Sequence, residues 1–429
     1  MISCKALVAA LVIFALFLAA GCSQSSLSQG ERALEMGNYQ LAIDHLESAL
    51  KEKPTDAKVM RSLGQAYYHK GDFAKSETYL VEAQKSLPND GIVSLYQGMI
   101  AENKGDFAGA EKFYRSYLAK NGKSKAADAI RGRLLFVQNE NLRLQVANAV
   151  KQEDAISKEV PAQNTVGVLP FAVHNKSDET TRSLATGLQT VTWYDLSSIE
   201  ELQVVERLEF KYLIKELELA EEGFSDKNSA PRLGKLVRAG NLVNASVDKP
   251  NESSFTLNSA LVNTSDAAFK PTYGKDAKLK DAMKMQKDMV LSVVDSLGID
   301  VKGSRRQTLK KAPTENYEAF LAFSQGVELY DNGEFVKAKS MFERAMSLDP
   351  KFNLARQLAN DATLLGNNSG PINTFDTKIL STLVNDDVIF FDPVTHVINI
   401  TDPGVVDPRT QDQPQENSTG TATVSGTIR

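Results

Sequence analysis

The apolar positions of the chain change period several times, and each change marks an element. Ala6 to Ala20 is apolar without interruption, and these 15 residues fall short of the roughly 20 that a bilayer span needs. They match the apolar region of a signal peptide, with Lys5 as its positive start. Residues 22–123 then place apolar and small residues at helical spacing in three successive units. Ser124 to Lys158 is polar and helical with little turn chemistry. "NTVGVLPFAV", Asn164 to Val173, is a β-branched apolar run that predicts a buried strand. "SDETTRSLATGLQTVTWYDLSS" predicts a helix capped by Ser177 or Asp178.

The stretch from Gln203 to Leu217 changes period in its middle. "LQVVE" predicts a second strand. "RLEFKYLIKELEL" puts Leu208, Tyr212 (or Leu213), Lys215 (or Glu216) and Leu219 in helical register. Glu206 and Arg207 stand at the junction. "SAPRLGKLVRAG" predicts a third helix closed by Gly240. "NLVNASVD" and "SFTLNSALVN" predict two strands joined by the turn-rich "KPNES", and "LKDAMKMQKDMVLSVVDSLGI" a final amphipathic helix. Strands alternating with helices and followed by a hairpin imply an α/β domain of roughly Asn164 to Ile299. After Gly366, "DVIFFDPVTHVINITDP" holds two strand-like runs. From Asp407 on, the chain is polar and poor in large apolar residues, the composition of a disordered tail.

The three N-terminal units repeat. Gly30, Gly64 and Gly98 are 34 residues apart, and so are Gly37, Gly71 and Gly105. Ala42, Ser76 and Ala110 follow as small residues, Leu46, Leu80 and Tyr114 as large ones, and Pro54 and Pro88 close the first two units. This period and these offsets resemble the tetratricopeptide repeat, in which each unit is a helix-turn-helix. "NYEAFLAFSQGVELYDNGEFVKAKSMFERAMSLDP" repeats the offsets at Gly326, Gly333, Ala338, Phe342, Ala345 and Pro350, with a helix-like stretch from Asn353 to Leu365 to cap it. One unit cannot bury its own face, so this one is expected to pack on the middle domain or on the N-terminal array.

"LAAGC", Leu18 to Cys22, resembles a bacterial lipobox. The resemblance implies that Cys22 is the lipid attachment site, and Ser23 after it suggests the outer membrane. Cys4 leaves with the signal, so the mature chain has a single thiol and no internal disulfide.

The middle segment carries Pro170-Phe171 at the end of a strand, Glu206-Arg207 before a helix, Gly234-Lys235-Leu236 within one, and Ala239-Gly240 before a strand. This series is similar to the CsgG family, which includes the curli secretion lipoprotein and many envelope lipoproteins. The order of the last pair is usually reversed in that family. The closely similar TolB amino-terminal-like fold is an alternative. Secretion channels of the family insert two amphipathic hairpins per subunit. Here only Lys249 to Ser253 joins the first pair of strands, too short for membrane strands of about 9–11 residues. The second position, after "ALVNTSDAAFKPTYGK", is equally short and carries four lysines by Lys280.

The expected fold class is therefore α+β and multidomain. It comprises a signal peptide (1–21), three tetratricopeptide repeats as an α-solenoid (22–123), a helical linker (124–160), a CsgG-like α/β domain (161–302), a C-terminal repeat unit with a capping helix (312–365), and a strand-like, partly disordered tail (366–429).

Charge adds an exclusion. With 49 Lys+Arg against 54 Asp+Glu, the chain lacks the basic excess that nucleic acid requires. His45, His69, His174 and His396 sit in four separate segments, with no HExxH, CxxC or P-loop. No catalytic residue, metal ligand or cofactor is expected, and Glu206-Arg207 reads as structural. The tetratricopeptide resemblance implies a concave binding face. Its inward positions are Arg61, Gln65 and Tyr68 in the second repeat and Leu95, Met99 and Glu102 in the third. Gln65 and Tyr96 stand where a carboxylate clamp needs asparagines, so binding of a free C-terminal carboxylate is not expected. An alternative is that Leu95 and Met99 are buried by the helix after Ser124. The expected function is a lipid-anchored periplasmic scaffold that binds envelope proteins or peptides in an outer-membrane assembly or secretion complex. Alternatives are an activator of an envelope enzyme, such as a peptidoglycan synthase, or a secretion pore subunit. Both a homo-oligomer and a monomer stay open.

Overall fold

Four glycines with positive φ set the helical hairpins. Gly37, Gly71, Gly105 and Gly333 take φ of +73°, +78°, +74° and +78°, values that L side chains rarely adopt. Each ends one helix and turns the chain into the next. A computed structural model describes residues 25–173, 178–218, 229–251 and 254–384. Cys22, the signal segment, the strand-like runs and the polar tail lie outside these. Two compact units are distinguished, the second starting at Asp387; all described residues belong to the first.

The N-terminal array is α1 (Ser26–Glu35), α2 (Tyr39–Glu52), α3 (Ala57–His69), α4 (Phe73–Ser86), α5 (Gly91–Asn103) and α6 (Phe107–Asn121). Asn38, Asp56, Asp72, Asp90 and Asp106 cap the helices that follow them with side-chain oxygens. Within each pair, a glycine of the first helix receives the large side chain of the second. A Cβ on Gly64 would meet Leu80 at 2.5 Å, and one on Gly98 would meet Tyr114 at 2.6 Å. The linker is one long helix, α7 (Ala127–Lys151), followed by a single turn, α8 (Glu153–Ile156).

The middle domain holds β1 (Thr165–Val168), β2 (Ala172–Val173), α9 (Glu179–Ser197), β3 (Gln203–Val204), α10 (Arg207–Glu216), α11 (Ser229–Leu236), β4 (Asn241–Asn251), β5 (Ser254–Asn263), β6 (Phe269–Lys278) and α12 (Ala282–Ser296). The strands form one mixed sheet in the order β3-β1-β4-β5-β6, with β2 also on β4. β1 pairs in parallel with β3 and β4, and β4, β5 and β6 run antiparallel. One face carries Val166, Val168, Val243, Val247, Phe255 and Leu257 against α9 and α12. The other carries Leu169, Leu242 and Val262 against Phe210 of α10 and Leu233 and Leu236 of α11.

Several expectations need correction. The Asn164–Val173 run is two short strands, because Pro170 has no N–H to give the ladder. "LQVVE" contributes only Gln203 and Val204. In α10 the buried residues are Phe210 and Leu213: of the expected line Leu213 is buried, whereas Leu208 and Tyr212 are half-buried; Leu219 lies outside the described residues. The left-handed residue closing α11 is Arg238, at φ 54°, not Gly240. Gly240 is needed instead for a close approach, since a Cβ there would meet the Ala162 carbonyl oxygen at 2.3 Å. The segment taken as a short connection after β5 is a third antiparallel strand, β6. Asp178 caps α9, accepting from the Thr181 N–H, as one of the two expected caps.

The C-terminal unit is α13 (Gly303–Leu309), α14 (Tyr317–Asp331), α15 (Phe335–Leu348) and α16 (Asn353–Asn368). It packs on the middle domain, where α14 lies on α9, and on the linker helix, where α16 lies on α7. Gly187 and Gly132 make these contacts close. Their Cβ positions would meet Ser324 Oγ at 1.9 Å and the Leu364 carbonyl oxygen at 2.3 Å. The chain then forms one more helix, α17 (Ile372–Val384), where a strand-like tail was expected.

Candidate protein-binding site

The first helices of the three N-terminal units, α1, α3 and α5, stand side by side. Their shared side gathers all six expected binding residues. None of them is open to solvent: Arg61, Gln65, Tyr68 and Glu102 are 3–7 % exposed, and Leu95 and Met99 are fully buried. The expected open face is therefore filled within the chain. α7 packs on α6, and α17 lies against α5.

The polar members of the set are committed to internal bonds. Arg61 donates from Nη1 to Asp90 Oδ2 at 2.9 Å, and Asp90 is also the cap of α5, so the pair ties the second unit to the third. The Tyr68 hydroxyl accepts from Asn103 Nδ2 at 3.3 Å. Glu102 takes a two-pronged ion pair from Arg133 of α7, with Nε to Oε2 at 3.0 Å, and also accepts from the Tyr114 hydroxyl at 2.9 Å. Burial, then the Glu102 charge, pushes the Tyr114 phenol well above its usual range. Arg133 is 1 % exposed. It also donates to the carbonyl oxygens of Asn368 and Gly370 and stacks over Phe136 and Phe375 at 4.4 and 5.1 Å. One guanidinium thus joins the array, the linker helix and the end of the C-terminal unit.

Sequence reasoning missed Arg133 and α17. Pro371 followed by apolar residues at Phe375 and Ile379 is the helical signal that could have found α17.

Residues 33–102 match the family model of the tetratricopeptide repeat. Over those residues the helices are tetratricopeptide repeats. No match is found among the curated proteins. Among solved structures, a tetratricopeptide repeat protein from Parabacteroides merdae is 12 % identical over 79 % of this chain and 97 % of that one, with a TM-score of 0.24. Yeast Tom70 is 15 % identical over 85 % of this chain and 70 % of that one, with a TM-score of 0.26. Scores this low transfer no architecture to this chain.

The Glu206-Arg207 junction has a structural task. Glu206 caps α10 through the Arg207 N–H at 3.1 Å. Arg207 reaches across to the carboxylate of Asp331 at the end of α14, with two hydrogen bonds of 2.5 and 2.6 Å. Lys211 adds a bond to the Asp331 carbonyl. Among the described residues there is no group of three or more His, Cys, Asp and Glu that could hold a metal. No described helix is long and apolar enough to cross a membrane.

Proposed function

We propose that this chain is a lipid-anchored envelope adaptor: acyl chains on Cys22 hold it at the outer membrane facing the periplasm, and it binds protein partners in an assembly or secretion complex. The observation that carries the reading is the tetratricopeptide array, a scaffold for protein–protein contact. The "LAAGC" sequence supports the anchor. In this reading the middle domain is a CsgG-like scaffold without membrane hairpins, which the direct β4–β5 hairpin and the edge strand β6 support.

Cys22→Ser tests the anchor. The variant is expected in the soluble periplasm, and wild-type fractionation with outer membranes would refute the lipid. Crosslinking in intact envelopes, followed by purification, tests the adaptor. A reproducible partner protein is expected, whereas a chain that crosslinks to nothing above background refutes it.

A further inference from the structure

The groove of the array holds a helix of its own chain, seated as a ligand would be. Phe375 and Ile379 of α17 are 3 % and 0 % exposed. The Phe375 ring lies 6.3 Å from Tyr114, edge to face, and 5.1 Å from the Arg133 guanidinium. Next to it, Asp376 points Oδ2 at His69 Nδ1, 3.5 Å away. His69 is held by its other nitrogen, Nε2, 2.8 Å from the Tyr96 hydroxyl. Tyr39 stacks on His69 at 4.8 Å, and Tyr68 meets it edge-on at 5.2 Å. These four rings come from all three repeats and make a box for one carboxylate. The Asp376 charge helps to raise the Tyr39, Tyr68 and Tyr96 phenols, after burial itself.

The seat is occupied but not perfectly filled. Asp376 Oδ1 is buried without a hydrogen-bond partner among the described residues, and the contact to His69 is long for a charge-assisted bond. α17 is buried on one side only: Phe375 and Ile379 face the array, while Asn373, Thr374, Thr377 and Lys378 are exposed. Ser369 to Pro371 link it to α16, and Lys378 donates back to the Asn367 carbonyl and to Asn368 Oδ1 at 3.1 and 3.0 Å.

We infer that the groove is a helix-binding site that α17 fills in cis, and that its partner is an amphipathic helix with an aromatic residue, an acidic residue directly after it, and an apolar residue three positions further on. The inference rests on the adaptor reading and names what that array takes. The aromatic side chain replaces Phe375 between Tyr114 and Arg133, the acid replaces Asp376 in the ring box, and the apolar residue replaces Ile379. A short tether gives α17 a high effective concentration. A partner in trans therefore binds weakly until α17 leaves, by the fraction of time the groove is open.

The probe is a fluorescein-labelled peptide of residues 371–384, titrated by anisotropy against the full chain. The Phe375→Ala, Asp376→Lys double variant is expected to bind it at least about ten-fold more tightly than wild type. The peptide with its aspartate changed to asparagine should bind several-fold more weakly, and adding His69→Gln to the released variant should abolish the preference for the acid. The inference is overturned if the released variant keeps the wild-type circular dichroism and elution volume yet binds the peptide no better. Should that variant unfold, Asp376→Asn decides: about three-fold tighter binding supports the inference, and unchanged binding or unfolding overturns it, because α17 is then a fixed part of the fold. Crosslinked envelope partners with no trans peptide binding would sink this inference alone. Peptide binding with no envelope partner would sink the adaptor reading alone.

Discussion

Arg207→Ala should separate the middle domain from the C-terminal unit at one defined point. The Arg207 and Asp331 side chains are each only 10 % exposed, so solvent cannot replace the lost partner. Two charge-assisted hydrogen bonds, at about 1.5–3 kcal/mol each, hold a carboxylate whose desolvation has already been suffered. Removing the guanidinium leaves that charge buried, and the expected cost is about 3–5 kcal/mol. Arg207→Lys keeps the charge and loses the fork, so about half of that is expected. An apolar pair, Arg207→Leu with Asp331→Leu, should come within about 1 kcal/mol of wild type, because it leaves no orphaned charge. The chain has a single tryptophan, Trp193, which donates to the Val205 carbonyl at 2.9 Å, close in sequence to the ion pair. Urea unfolding followed by tryptophan fluorescence therefore reports on this module. The reasoning fails if Arg207→Ala costs less than about 1 kcal/mol, or if its effect simply adds to that of Asp331→Ala.

Other perturbations test other joints. Gly132→Ala and Gly187→Ala should each destabilise by about 1–3 kcal/mol through overpacking, with lowered thermal midpoints; wild-type melting would show that these helices move apart freely. Burial, reinforced by Glu206, pushes Glu209 up to about 7. An acid that keeps its proton longer when folded adds stability below its unfolded value near 4.5, and that stability fades as pH rises through 7. Discounted for partial exposure, the loss is about 1–2 kcal/mol; Glu209→Gln should flatten urea midpoints between pH 5 and 8, and an unchanged slope would refute the assignment.

The sequence alone determined the helical hairpins, because their constraints are local. A left-handed turn favours glycine, so Gly37, Gly71, Gly105 and Gly333 announce the hairpins at their own positions. The facing glycine and large residue, as at Gly64 and Leu80, lie 16 positions apart within one unit. The β4–β5 hairpin and the Asp178 cap were legible for the same reason. Tertiary structure decided what depends on distant partners. β6, "FKPTYGKDAK", has no alternating pattern and contains Pro271 and Gly274; it is a strand because β5 offers it a ladder, and an edge tolerates its proline. Arg207 finds its carboxylate 124 residues away, and Arg133 finds carbonyls 235 and 237 residues away. All six expected groove residues are buried, an outcome the sequence offered as an alternative for Leu95 and Met99 alone. Helix periodicity tells which side a residue faces, whereas what covers that side is set by the chain's return, here through α17.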